Sequence, residues 1–236
     1  MIEVGFLLFP KLTQLDLTGP FEVLALVPGA RLHLAAASMA PVTSDSGLAI
    51  APSVTVAECP RLDVLVVPGG PGQVAAMEDE VLLAFVRRQA GNARYVTSVC
   101  TGSLILGAAG LLRGKRATCH WLSLDLLPLF GAEPVRERVV RDGRVTTGAG
   151  VTAGIDFALA LAADIAGESV ARRIQAQLEY DPRPPFADPG EEGREAARQQ
   201  ASALLAIRRE SAIRAAARLA VTAGSETPSP DAASSA

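Results

Sequence analysis

Histidine is scarce in this chain of 236 residues, occurring only at His33 and His120. Chemistry that relies on an imidazole base is therefore poorly provided for. His33 falls inside a predicted strand, and no histidine directly follows Cys100, which leaves His120 as the one candidate base and argues against a cysteine protease or an amidotransferase. Cysteine is also sparse. Cys59, Cys100 and Cys119 are an odd number without metal-ligand spacing, so reduced thiols in a reducing compartment are expected and no metal site is written. There is no excess of basic residues either: a net charge of −3 gives no electrostatic footprint for DNA or RNA. The opening MIEVGFLLFP has no basic leader region or small-residue cleavage site, and its apolar run is too short to cross a membrane. A cytoplasmic protein without a membrane or nucleic-acid partner is the expectation. The phosphate-loop pattern GxxxxGK[ST] is absent too.

What is present is globular material, with 49% hydrophobic and 20% charged residues, and Trp and Tyr are rare against Ala, Val and Leu. That composition excludes overall disorder. The chain alternates strand-like and helix-like segments. Ile2 to Phe9 is a nearly continuous apolar run, as in a strand covered on both faces. Pro10 ends it, and the loop KLTQLDLTGP leads to a helix through about Val27, with Pro20 in its first turn and Asp16 just before it. Arg31 to Ala37 and Asp63 to Val67 read as further strands, the latter running into PGGPG. Asp79 to Ala90 is an amphipathic helix closed by Gly91. RATCHW starts another strand with His120 near its end. Asp142-Gly143 marks a hairpin between Val135 to Arg141 and Arg144 to Thr147. Helices follow over Ile155 to Ala166 and Glu168 to Glu179, the second ended by the prolines of YDPRPPF. From about 191 to 220 a helical stripe interrupted by Arg208 and Arg209 suggests a docking or dimer-packing helix, and 221–236 reads as a disordered tail. One domain over 1–220 is expected.

The chemistry concentrates on YVTSVCTGSLILGAAGLL, Tyr95 to Leu112. A β-rich run reaches Cys100 and passes without a spacer into Leu104, Ala108 and Leu111 at helical spacing. Strand, sharp turn and helix would put Cys100 at the carboxyl end of a central strand and at a helix N-terminus, where a thiolate is favoured over a thiol. Cys100 is thus a candidate nucleophile, the other reading being a buried cysteine that packs as a small hydrophobe. Asp16 either caps its helix or projects a carboxyl group over the crevice beyond the first strand. Gly69 and Gly70 permit a turn whose N–H groups could form an oxyanion hole beside a thiolate. Gly148 and Gly150 mark a close backbone approach, to a neighbouring helix or to the substrate pocket. His120 is a base, a supporting ring or a structural one; Tyr180 either overhangs a pocket or packs on the core.

Taken together and in order, VPGGPG, SVCTGSLILGAAGLL, GKRATCHW, RVVRDG and TAGIDFALALAA resemble the ThiJ/PfpI superfamily, and within it the isocyanide hydratase branch. The likeness runs from Ile2 to about Ala220, including LFPKLTQLDLTGP and LEYDPRPPF. It implies a flavodoxin-like α/β/α sandwich with a mostly parallel sheet, of the class I glutamine amidotransferase-like type, assembled as a homodimer. It also implies Cys100 as nucleophile, Asp16 as acid/base, and the Thr101 hydroxyl with N–H groups near Gly70 and Thr101 holding water or charge. Thr101 stands where protease-like members carry His, and Asp16 where many carry Glu. The implied reaction adds water to an isocyanide through a covalent thioimidate, without metal or organic cofactor. Two alternatives remain from other classes: a glyoxalase or deglycase acting on α-oxoaldehydes with the same thiol, and a ligand or redox sensor akin to the α/β domain of AraC-type regulators.

Overall fold

A computed structural model describes residues 1–225. Its main sheet has seven strands: β1 (Ile2–Leu7), β2 (Ala30–Ala36), β5 (Val54–Thr55), β6 (Val64–Val67), β7 (Tyr95–Val99), β10 (Val139–Asp142) and β11 (Val145–Gly148). They lie in the order β10-β11-β7-β6-β1-β2-β5. All neighbours run parallel except β10 and β11, the hairpin announced by Asp142-Gly143. Two short pairs stand apart from it: β3 (Val42–Thr43) with β4 (Ala49–Ile50), and β8 (Arg116–Ala117) with β9 (Glu133–Pro134). The helices are α1 (Gln14–Ala25), α2 (Gln73–Ala76), α3 (Glu80–Asn92), α4 (Gly102–Ala108), α5 (Ala153–Ala166), α6 (Glu168–Gln177), α7 (Gly190–Gln200) and α8 (Ser202–Ser225), with a 3-10 helix over Trp121–Phe130.

The central strands have little polar alternation because both faces are covered. Every residue of β6, VLVV, is buried. Helix α1 packs on α5 and α5 on α6, while α4 touches α2, α3, α8 and the 3-10 helix. The result is an α/β sandwich, the architecture that the family resemblance implies. The chain passes from β1 to β2 on one side, then returns to place β6 on the other side of β1. That reversal makes the carboxyl ends of β1 and β6 the topological switch point, the usual ligand position in such sheets. The segments that follow β1, β6 and β7 carry Asp16, Gly69-Gly70 and Cys100 respectively.

Several local expectations are corrected. Helix α1 starts at Gln14, so Asp16 lies in its first turn and Pro20 lies inside it. The turn around Leu12 and Thr13 is already anchored, Thr13 N–H donating to the Gly69 carbonyl at 2.9 Å, and this starts the helix earlier than the proline alone suggests. Pro20 is used for packing. A Cβ on Gly154 would lie 3.1 Å from both Pro20 Cγ and Cδ, so α1 and α5 approach closely where α5 carries no side chain. Gly91 sits within α3, which continues to Asn92. The start of that helix is conventional, with Asp79 accepting from the Val81 and Leu82 N–H groups. RATCHW supplies only the two-residue β8; Trp121 onward winds as a 3-10 helix whose N-cap is His120. The C-terminal stripe is two helices, and α8 runs through Val221 to Ser225, beyond the expected end of the helix. The rest of the expected tail, 226–236, lies outside the described residues.

Gly154→Ala tests the α1–α5 contact. A methyl group held against a rigid proline ring should lower stability by about 1–2 kcal/mol, read as a lower urea midpoint at an unchanged m-value.

Candidate active site

Cys100 follows β7 directly and adopts φ +56, a left-handed conformation that is costly for a residue with a side chain. Its N–H donates to the Gly148 carbonyl at 3.0 Å. Thr101 is the N-cap of α4, and Gly102 opens the helix. The turn is tight enough to demand glycine at 102, where a Cβ would fall 2.2 Å from the Val67 carbonyl oxygen. The strand, strained residue and helix form a sharp elbow with sulfur at its turn, in the geometry that nucleophile elbows use.

Asp16 reaches the same point from α1. Its side chain is fully buried, with Oδ2 accepting from the Gly69 N–H at 2.9 Å. Its Oδ1 is the one buried side-chain nitrogen or oxygen among the described residues without a hydrogen-bond partner. Gly69 marks the convergence: a Cβ there would lie 2.5 Å from Thr101 N, 2.6 Å from Thr101 Oγ1 and 2.9 Å from Asp16 Oδ2. Gly70, at φ +123, donates its N–H to Thr101 Oγ1 at 3.0 Å. The N–H groups of the glycine turn therefore hold protein oxygens. Rather than standing open as an oxyanion hole, this turn aims a carboxyl and a hydroxyl group at the elbow.

Burial controls the electrostatics. Desolvation raises the Asp16 pKa from 3.8 to about 7, against the opposing pull of the Gly69 N–H and the Cys100 thiol. Cys100 is 5% exposed, and burial followed by the Asp16 charge pushes its thiol well above the ordinary value. The expectation of a thiolate stabilised by the helix end is thus corrected. The Thr101 N–H does favour the thiolate, but desolvation outweighs it. Asp16 and Cys100 are close enough to act on each other's ionisation.

The other candidates separate. Gly148 contacts the elbow through its carbonyl, and a Cβ on Gly150 would come within 3.8 Å of His120 Cδ2. His120 Nδ1 accepts from the Leu122 N–H at 3.3 Å, while burial and then Arg208 lower its pKa, so the ring is held neutral as a helix cap. The Tyr180 hydroxyl donates to Asp156 Oδ2 at 3.0 Å, beside Arg138. Tyr180 lines a surface hollow with Arg172 and Glu179 that includes none of Cys100, Asp16 and Thr101. Cys59 and Cys119 are free and buried, with pKa values pushed up to about 11 and about 12, chiefly by desolvation. No group of three or more His, Cys, Asp or Glu suited to a metal occurs among the described residues.

Residues passed over in the sequence also reach this region. Ser103 Oγ donates to the Thr118 carbonyl at 2.7 Å and lies 3.1 Å from Ser98 Oγ, tying the elbow to its neighbouring segment. Arg208 is 5% exposed and bonds to Gln73 and Ser123. Serine hydroxyls in apolar runs and an arginine in an alanine-rich helix carry no local sign of such use.

Fold and site together define an α/β sandwich with a cysteine presented on a strained elbow opposite a buried carboxyl group. The chain belongs to the DJ-1/PfpI family, whose model matches residues 3–164. It is 55% identical over 224 residues to a Pseudomonas putida protein named isonitrile hydratase, covering 92% of this chain and 98% of that one. A crystal structure of a ThiJ/PfpI family protein from Pseudomonas syringae superimposes with a TM-score of 0.87 at 44% identity, covering 89% of this chain and 90% of that chain. More distant is the glutathione-independent glyoxalase DJR-1.2 of Caenorhabditis elegans, 28% identical over 141 residues, or 59% of this chain and 75% of that protein.

The raised Asp16 pKa has a consequence for stability. A carboxyl group that binds its proton more tightly when folded stabilises the fold below its unfolded pKa near 3.8, and this contribution is lost as pH rises through about 7. A tenfold difference in proton affinity between the two states corresponds to about 1.4 kcal/mol. Asp16→Asn should remove this dependence and be the more stable protein at pH 8, by urea unfolding at pH 5 and pH 8.

Proposed function

We propose that this protein is an isocyanide hydratase, a cofactor-independent cysteine lyase that converts an isocyanide and water into an N-substituted formamide. The observation that carries the mechanism is the buried Asp16 carboxyl, with a pKa raised to about 7, beside a cysteine elbow whose neighbouring histidine serves as a cap. The 55% identity to the Pseudomonas putida protein over nearly its whole length supports the substrate class. A terminal isocyanide carbon carries no substituent, so its slim end suits a sulfur in a residue only 5% exposed.

In this reading the Cys100 proton passes to Asp16, and the thiolate adds to the terminal carbon. Asp16 then protonates that carbon, giving a thioimidate. Water attacks the same carbon while Asp16 takes one of its protons and passes it to nitrogen. Collapse of the tetrahedral adduct returns the hydroxyl proton to Asp16, breaks the carbon–sulfur bond and releases the formamide. Thr101 Oγ1, fixed by the Gly70 N–H, orients the water, and backbone around Gly148 and Gly150 forms the adjoining wall. No histidine takes part. The raised pKa suits Asp16 to both halves of the cycle, because a carboxyl group near 7 accepts a thiol proton more readily than one near 4.

The same reading makes the chain a homodimer acting in the cytoplasm, with the C-terminal helices part of a single catalytic domain. No helix among the described residues is long and apolar enough to cross a membrane, and all three cysteines are free. The α-oxoaldehyde and sensor readings have less behind them, since the glyoxalase relative is 28% identical over 59% of the chain.

Formamide production from a simple alkyl isocyanide tests the proposal. Cys100→Ala should lose about 10³-fold or more in kcat/KM while remaining folded. Undiminished turnover would rule out covalent catalysis, and turnover of methylglyoxal in place of isocyanide would move the protein to the glyoxalase class. The pH profile supplies a second check. Below about 7 both Asp16 and Cys100 are protonated and no base is available, so kcat/KM should rise as pH increases through about 7. In Asp16→Asn the rise should move to higher pH, where the thiol must ionise without help.

A further inference from the structure

Helix α8 lies outside the part of the chain matched by the family model, which ends at residue 164, yet it sends a charged side chain into the core. Arg208 is 5% exposed. Its Nε donates to Gln73 Oε1 at 2.8 Å and its Nη1 to Ser123 Oγ at 2.8 Å. No carboxylate lies within ion-pair distance of it among the described residues, unlike Arg209, which pairs with Asp125, and Arg214, which pairs with Glu78. A buried guanidinium with only neutral partners is costly and stays charged, so its field falls on whatever ionisable groups are near.

Both neutral partners lead to the elbow. Gln73 N–H donates to the Gly70 carbonyl at 3.1 Å, and Gly70 N–H in turn donates to Thr101 Oγ1, next to Cys100. Ser123 N–H donates to the His120 carbonyl at 2.8 Å, and the His120 ring adjoins Gly150. One guanidinium therefore holds the glycine turn on one side and the His120 segment on the other. We infer that Arg208 is a positioning residue for the cysteine site: its forked bonds to Gln73 and Ser123 hold together the two walls beside Cys100. The inference rests on Cys100 being the nucleophile.

The titratable and charged groups acting on this cluster are Asp16 from α1, Cys119 beside the 3-10 helix, Asp125 and His120 within or capping it, and Arg208 from α8. Asp16 and Cys119 raise the Cys100 pKa, whereas Arg208 lowers it. Lysine would keep the charge but cannot reproduce the planar fork.

The test measures alkylation of Cys100 by iodoacetamide across pH, read by peptide mass spectrometry in the full chain, alongside kcat and KM for isocyanide turnover. Arg208→Met should shift the Cys100 profile to higher pH, slowing alkylation at neutral pH about threefold, while Arg208→Lys restores much of the rate. A folded Arg208→Met protein with the wild-type profile would overturn the inference. If that variant does not fold, Gln73→Met decides, because it leaves the charge and removes one wall's tether: kcat lower by about threefold or more at constant KM supports the role, and wild-type kcat overturns it. Alkylation needs no isocyanide, so an inactive wild-type protein would remove the hydratase reading while the alkylation profiles still decide the role of Arg208.

Discussion

The structure depends on one close convergence at Gly69. Its N–H holds the Asp16 carboxyl group, and its missing side chain leaves room for Thr101 and for the Asp16 oxygen. Three segments that follow β1, β6 and β7 meet there, and none could approach so closely across a Cβ. Burying a carboxyl group at that junction opposes its ionisation and pushes the Asp16 pKa up from 3.8 to about 7. Cys100 meets the same desolvation, so burial opposes the ionisation of both groups.

This changes the part played by the local devices around the cysteine. The positive φ at Cys100 and the following Thr101 N–H present the sulfur and favour its charge, but the helix they lead into spans only Gly102–Ala108. Its end cannot offset near-complete burial. The N–H groups of the PGGPG turn are likewise engaged, one by Asp16, one by Thr101 and that of Gly72 by the Lys11 carbonyl. The turn fixes the Asp16 and Thr101 side chains beside Cys100. In the proposed mechanism the scarcity of histidine is no deficiency, because a carboxyl group with a raised pKa covers the same range of pH.

The segments after Ala166 bind the sandwich from outside and reach its centre. Helix α8 packs on α2, α4 and the 3-10 helix, with Ala212 and Ala215 buried against them. Arg208 enters between two walls of the site, while Arg209 and Arg214 remain on the surface in ordinary ion pairs. Tyr180 belongs to the Arg138–Asp156 cluster, which ties the chain after α6 to the start of α5.

Local pattern was enough to determine the alternation of strands and helices, the strand-to-helix elbow at Cys100 and the Asp142-Gly143 hairpin, while the mostly parallel sheet came with the family likeness. Continuous apolar strands, helical spacing and turn residues are properties of a few adjacent positions, and the order of the motifs carried the family likeness. The start of α1, the use of Pro20 in packing and the brevity of β8 depended on partners far along the chain, such as the Gly69 carbonyl that holds Thr13. Only the tertiary structure decided which N–H groups are occupied, that Asp16 and Cys100 both resist ionisation, and that an arginine in an alanine-rich helix is buried. Desolvation and charge proximity are summed over everything packed around a group, and a one-dimensional spacing contains no record of that surrounding.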